Sequence, residues 1–78
     1  MNSELENSIK RVMSDILNIP EDTVTDDTSV DNTDGWDSAN HIQLVIALEE
    51  EFSISFDVKE FEALLSFTDI YEMVQAKI

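Results

Sequence analysis

Cysteine, glycine, proline and basic residues are all scarce in this sequence of 78 residues, which has no cysteine, one glycine, one proline and four basic residues. The lack of cysteine fits a reducing compartment. No apolar run approaches the roughly 20 residues that a membrane span needs, and the N-terminus shows no signal-peptide pattern. We therefore predict a cytoplasmic protein.

The shortage of basic residues leaves a strongly acidic chain, with 18 acidic residues against 4 basic ones and a formal net charge of −14. No Lys or Arg lies between Val12 and Val58. A field of this sign repels nucleic acid and anionic lipid and attracts basic protein surfaces, although high charge also simply favours solubility. We predict protein partners with basic docking surfaces, and no nucleic-acid or membrane partner.

The length of the chain limits what it can do. A domain of this size buries only about 60% of the surface of its unfolded chain, which leaves no room for both a core and a deep catalytic cleft. The apolar content of 42% is ordinary for a folded protein. We predict one domain over residues 1–78, which is a monomer and not an enzyme.

Apolar residues at helical spacing predict helices over residues 4–17, 38–52, 58–65 and 67–77. Phe61, Leu64 and Leu65 of the short third helix should face inward. The loop over residues 18–37 is long for a small domain, so we expect its apolar residues to pin it to the helices: Ile19, Val24, Val30 and Trp36. The predicted fold class is all-α, a small four-helix bundle (three main helices plus one short helix) with a long first loop.

The helix over residues 38–52 is apolar on two sides. Its core face should hold Leu44, Val45, Leu48 and Phe52. Ala39, Ile42 and Ile46 lie on a neighbouring face together with Ser38, which suits a docking surface for a partner, although packing on two sides within a bundle would give the same pattern. The acidic residues 49–51 oppose the helix dipole, as they would if a basic partner binds there or if this face is simply solvated.

Neither the histidine nor the acidic loop predicts catalysis or metal binding. His41 is the only histidine and has no cysteine to join it, so a packed or interfacial imidazole is expected. A calcium loop with Gly35 at its sixth position would run from Val30 to His41, and neither end residue supplies the required carboxylate. No catalytic residue and no metal site is predicted.

The order Gly-x-Asp-Ser at residues 35–38, before an apolar helix that ends in LEEEF at residues 48–52, resembles the second helix of the acyl carrier proteins. By themselves, Asp37 and Ser38 indicate only a helix cap. The resemblance covers roughly residues 5–74. It implies that Ser38 carries covalent 4′-phosphopantetheine, and that Asp37 caps the helix or assists the metal site of the transferase.

The resemblance also implies a function, which is to hold acyl intermediates as thioesters and present them to separate fatty-acid, polyketide or other specialised biosynthetic enzymes. The implied partners are a phosphopantetheinyl transferase, an acyl- or aminoacyl-loading enzyme, and synthase enzymes with basic docking surfaces. These partners would bind at Ala39, Ile42, Ile46, Glu49 and Glu50.

Three residues depart from the usual pattern of the family. Ala39 stands in place of a leucine that contacts the transferase, Asp34 in place of a leucine, and Trp36 in place of a small residue. Trp36 and His41 favour a dedicated pathway over the main fatty-acid one, and also favour a first alternative, a peptidyl or aminoacyl carrier. Ala39 and Asp34 favour a second alternative, an acidic interaction module that is never modified.

Overall fold

The computed structural model describes residues 3–78 and shows four α-helices: α1 (Ser3–Leu17), α2 (Ser38–Phe52), α3 (Val58–Ala63) and α4 (Phe67–Lys77). A 3₁₀ turn covers Glu21–Thr23. Within the described residues, extended pairing is limited to one bridge between Ser29 and Ser66. The predicted all-α bundle is therefore confirmed.

The core lies where α1 packs against α2 and α4. The predicted core face of α2 is confirmed, since Leu44, Val45 and Leu48 are buried and Phe52 packs against them. Residues from every helix except α3 join them, and most are aliphatic. The buried apolar residues are Leu5, Ile9, Val12, Met13, Leu17, Val24, Trp36, Leu44, Val45, Leu48, Leu64, Phe67, Ile70, Tyr71 and Val74.

The long first loop is anchored as predicted. Val24 and Trp36 are buried, and Ile19 and Val30 pack partly buried against the core. The loop is also joined by hydrogen bonds to the start of α4, because the backbone N–H of Phe67 donates to the carbonyl of residue 28 at 2.9 Å. These contacts hold the loop against the bundle as far as Trp36, two residues before α2.

Two predictions about α3 were wrong. The helix ends at Ala63 and not at residue 65, and Leu65 is 50% exposed. Leu64 has φ −83° and ψ 79°, which is outside the helical region. The carbonyl of Leu65 accepts from the N–H of Val30 at 3.0 Å, so this residue is turned toward the first loop and its side chain toward solvent.

Two interactions fix the short helix α3, of which no residue is fully buried. Asp57 and Glu60 form a reciprocal capping box, with each side chain accepting from the backbone N–H of the other. Lys77 of α4 pairs with Glu60 at 2.9 Å and lies 5.6 Å from the centre of the Phe56 ring. The backbone N–H of Asp57, and next the ammonium of Lys77, hold the pKa of the Glu60 carboxyl below its ordinary value of 4.5.

The lowered pKa of Glu60 predicts a specific pH dependence. The ionised carboxylate stabilises the folded chain fully above pH 4.5, and this stabilisation is lost as the pH falls through the lower pKa of the folded state. In Glu60→Gln the side-chain oxygen still accepts from Asp57, but the pairing with Lys77 is lost. We expect the variant to be less stable than the parent at neutral pH, and the difference in unfolding free energy to shrink below pH 4.5.

The measurement is urea unfolding across that pH range. Glu62→Gln is the matched control, because Glu62 is an exposed residue of the same helix; its stability should follow that of the parent at every pH. A Glu60→Gln curve parallel to the parent curve would contradict the role assigned to Glu60.

Candidate functional site

The turn before α2 depends on the single glycine. Gly35 has φ +87°, a conformation that residues with a Cβ rarely adopt, and an added Cβ would lie 3.3 Å from the carbonyl oxygen of Leu17. The side-chain amide of Asn40 donates to the carbonyl of Gly35 at 2.6 Å. The turn is thus fastened to the helix that it introduces, and Asp37 and Ser38 come to the start of that helix.

Ser38 is the first residue of α2, and it is exposed. Asp37 caps the helix as predicted, with its Oδ1 accepting from the N–H of Asn40 at 2.9 Å. The hydroxyl of Ser38, and the backbone N–H groups of Ser38 and Ala39, have no partner within residues 3–78. The positive end of the helix dipole and these free donors favour an anionic group beside the serine.

Two hydrogen bonds join the first loop, α2 and α3 next to Ser38. The indole N–H of Trp36 donates to Nδ1 of His41 at 3.0 Å, and Nε2 of His41 lies 2.9 Å from the carbonyl oxygen of Phe61. Since an indole only donates, Nδ1 is the acceptor and Nε2 carries the proton. The imidazole ring also packs against the ring of Phe61 with 4.7 Å between centroids. We call this the Trp36–His41–Phe61 bridge.

The bridge confirms that His41 is a packed imidazole. It also shows a participant that sequence reasoning missed, since Phe61 was assigned only to the core. Phe61 takes part through its backbone carbonyl. Because every residue has this group, the Phe61 side chain gave no signal of the contact. Residues 36 and 41 are five apart across a helix start, and their pairing depends on how the turn at Gly35 directs the indole.

A cleft of about 430 Å³ opens beside Ser38. Asp37 and Ser38 line it together with the three residues of the Trp36–His41–Phe61 bridge. The remaining walls are apolar, from Val30, Ile42 and Leu65. Leu65 follows the early end of α3, is half exposed and lines this cleft.

The apolar face predicted beside Ser38 is confirmed as an exposed strip. Ala39 is exposed, and Ile42 and Ile46 are 50% and 49% exposed. We call these three residues the apolar strip. Val58 at the start of α3 extends the apolar area and is 73% exposed. The alternative that this face of α2 packs inside the bundle is therefore wrong.

The three glutamates at the end of α2 differ from one another. Glu49 is partly buried, and its Oε2 accepts from the N–H of Phe56 at 2.8 Å. Glu51 pairs with Arg11 of α1 at 3.3 Å. Glu50 is exposed and has no partner within the described part of the chain. Glu49 therefore has a structural contact that the sequence did not indicate.

No cluster of three or more potential metal ligands occurs among residues 3–78, and no helix there is long and apolar enough to cross a membrane. A family model described as the phosphopantetheine attachment site matches residues 7–76 of the chain. This match covers nearly the whole sequence, and the chain therefore belongs to the phosphopantetheine-binding carrier family.

Membership of the family establishes several general properties. The cofactor is covalently attached 4′-phosphopantetheine, and the chain has a phosphopantetheine-carrier role. Such carriers interact with transferases and synthase enzymes, and are generally not catalytic themselves. The start of α2 fits this cofactor, because an exposed hydroxyl and unpaired backbone donors suit a phosphodiester.

The bridge predicts a measurable loss of stability in Trp36→Phe. Phenylalanine keeps an aromatic ring in the core but leaves Nδ1 of the partly buried His41 without its donor, which costs about 1–3 kcal/mol of unfolding free energy. Urea unfolding of Trp36→Phe, His41→Phe and the double variant measures the coupling between the two residues. We expect a coupling energy of about 1 kcal/mol; additive single effects would contradict a direct bond.

Proposed function

We propose that this chain is an acyl carrier protein that holds acyl intermediates as thioesters on 4′-phosphopantetheine attached to Ser38, and presents them to separate fatty-acid, polyketide or other specialised enzymes. The observation that carries the proposal is the position of Ser38, exposed at the N-terminus of α2 directly after the capping residue Asp37. The cap leaves the serine hydroxyl free, so a transferase can reach it.

The residues around Ser38 give a physical reason for this position. The hydroxyl supplies the oxygen of the phosphodiester, and the free N–H groups of Ser38 and Ala39 lie near the resulting negative charge. The arm supplies the thiol that carries the acyl group. Tethering makes each encounter of cargo and enzyme effectively intramolecular, which raises the effective concentration of the cargo without any new contact.

The chain itself is proposed to be non-catalytic. Both nitrogens of His41 take part in the Trp36–His41–Phe61 bridge, so neither is available as a general base for Ser38. Asp37 is occupied as the helix cap. The reaction that attaches the arm would then depend on coenzyme A and the active site of a phosphopantetheinyl transferase. Any metal that Asp37 assists would belong to the transferase.

Partner enzymes are proposed to dock on the apolar strip with Glu49 and Glu50 beside it. The strip shares the face of Ser38 and is half exposed at Ile42 and Ile46. An apolar area flanked by acidic groups fits a partner with an apolar pocket and a basic rim. Glu50 is the freer of the two acids, because Glu49 already accepts from Phe56. We propose that the protein acts as a cytoplasmic monomer.

A second candidate is a peptidyl or aminoacyl carrier, which is the same module with a different cargo. It is favoured by the pairing of Trp36 with His41, two residues that depart from the usual fatty-acid pattern and are bonded to each other next to Ser38. Loading by an adenylating enzyme with an amino acid, and not with a fatty acid, would separate this candidate from the first.

The attachment site is tested by intact mass spectrometry after incubation with coenzyme A and a broad-specificity phosphopantetheinyl transferase. We expect the parent to gain the mass of one phosphopantetheine and Ser38→Ala to gain none. Ser53→Ala is a matched control, since Ser53 is an exposed serine at the other end of α2, and this variant should be modified like the parent.

If the parent gains no mass, Ala39 is the next residue to test. Modification of Ala39→Leu under the same conditions would mean that the transferase requires a larger side chain next to the serine, and would support Ser38 as the site. Failure of both proteins would favour the unmodified acidic interaction module, whose affinity for its partner should not change in Ser38→Ala.

The docking surface is tested with Ile46→Asp. We expect kcat/KM of the transferase for this variant to fall about tenfold, because the loss of one apolar anchor costs on the order of 1–2 kcal/mol of interface free energy. Ile78→Asp is the matched control, since it makes the same change at another exposed isoleucine, which is 64% exposed at the end of the chain. Equal falls in both variants would reflect charge alone and contradict the docking role.

A further inference from the structure

The Trp36–His41–Phe61 bridge contacts two apolar regions of the molecule. All three of its residues line the cleft beside Ser38. Trp36 also belongs to the buried core with Leu44 and Leu64, and Phe61 packs against that core. Trp36 comes from the first loop, His41 from α2 and Phe61 from α3. The bridge therefore joins three segments of the chain at the end of the bundle where the serine lies.

Passage through the bridge would be unfavourable for an apolar chain. A hydrocarbon inserted between these residues from the cleft would separate the indole N–H from Nδ1 of His41, or Nε2 of His41 from the Phe61 carbonyl. Hydrocarbon has no group to replace either partner, so these partly buried polar atoms would be left unsatisfied. Trp36 is only 5% exposed and is itself part of the buried core.

The cleft offers the alternative position. Ser38 itself lines it, so a group attached to Ser38 starts within the cleft and does not have to cross the surface to reach it. Its volume of about 430 Å³ is at the small end of the range for small-molecule sites. The apolar walls and the polar groups of Asp37 and Ser38 fit the end of an arm together with a short cargo.

We propose that the Trp36–His41–Phe61 bridge closes the core to the cargo, so that the arm on Ser38 rests with its acyl or aminoacyl group in the surface cleft and the protein is suited to short or polar cargo. This inference rests on the proposed function, because it takes Ser38 as the point of attachment. His41 and Trp36 are then positioning residues that determine which cargo the carrier shelters.

The experiment compares the protein loaded with butyryl, octanoyl and dodecanoyl groups on the arm. Methyl NMR signals report on the cleft through Ile42 and Leu65, and on the core through Leu44 and Leu64. In the parent we expect shifts at the cleft already with butyryl, core signals that do not change with chain length, and no rise in Tm with chain length. Core shifts that grow with chain length in the parent would overturn the proposal.

Removal of the bridge should reverse this pattern. In His41→Ala the longer chains are expected to shift the core signals and to raise Tm relative to the butyryl form, because the opening now admits hydrocarbon. Trp36→Phe, which keeps an aromatic ring, is the second variant if His41→Ala does not fold. Core signals that stay independent of chain length in a folded variant would show that the bridge is not the barrier, and would overturn the proposal.

A second arm of the experiment avoids the phosphopantetheine altogether. The chain has no cysteine, so Ser38→Cys has a single thiol that can be alkylated with butyl, octyl and dodecyl iodoacetamides. The same dependence on chain length and on His41 is expected. Failure of the transferase to load the parent would then lead to the Ala39→Leu test of the proposed function, while the alkylated protein still decides whether the bridge closes the core.

Discussion

The two hydrogen bonds of one imidazole hold together the part of the molecule that carries the site. Helix α3 has six residues and none of them is fully buried, so its own length does not fix it and Phe61 gives it only a partly buried contact with the core. His41 binds it from α2 through the Phe61 carbonyl, and holds Trp36 at the end of the first loop. With the capping box and Lys77, this contact determines where α3 lies, and its three residues line the cleft.

Three of the four basic residues make contacts away from Glu50 and the apolar strip. Lys10 lies over the Phe67 ring and Arg11 pairs with Glu51. Lys77 pairs with Glu60 and lies over the Phe56 ring. Three of the four basic residues thus contact other parts of the fold, and none of these contacts involves Glu50 or the apolar strip. Surface ion pairs contribute little to stability, so the chief consequence is a negative field that remains available to steer basic partners.

One side of α2 stabilises the fold, and the other side stays accessible at the surface. Its core face packs against α1, and its other face leaves Ile42 and Ile46 half exposed. An exposed apolar area lowers solubility in most small proteins, and the net charge of −14 offsets that tendency. The early end of α3 belongs to the same arrangement, because Leu65 contributes to the cleft and not to the core.

The sequence by itself determined the helices apart from the end of α3, the cap at Asp37 and the membership of the carrier family, because helical periodicity, Asp37 as a cap and the Gly-x-Asp-Ser order are all local patterns. It also indicated the exposed strip through the spacing of Ile42 and Ile46. Only the tertiary structure decided the bridge, the cleft and the position of Leu65. Those features depend on backbone groups of distant segments, the carbonyl of Phe61 and the N–H of Val30, and a backbone group leaves no mark in the side-chain pattern from which a sequence is interpreted.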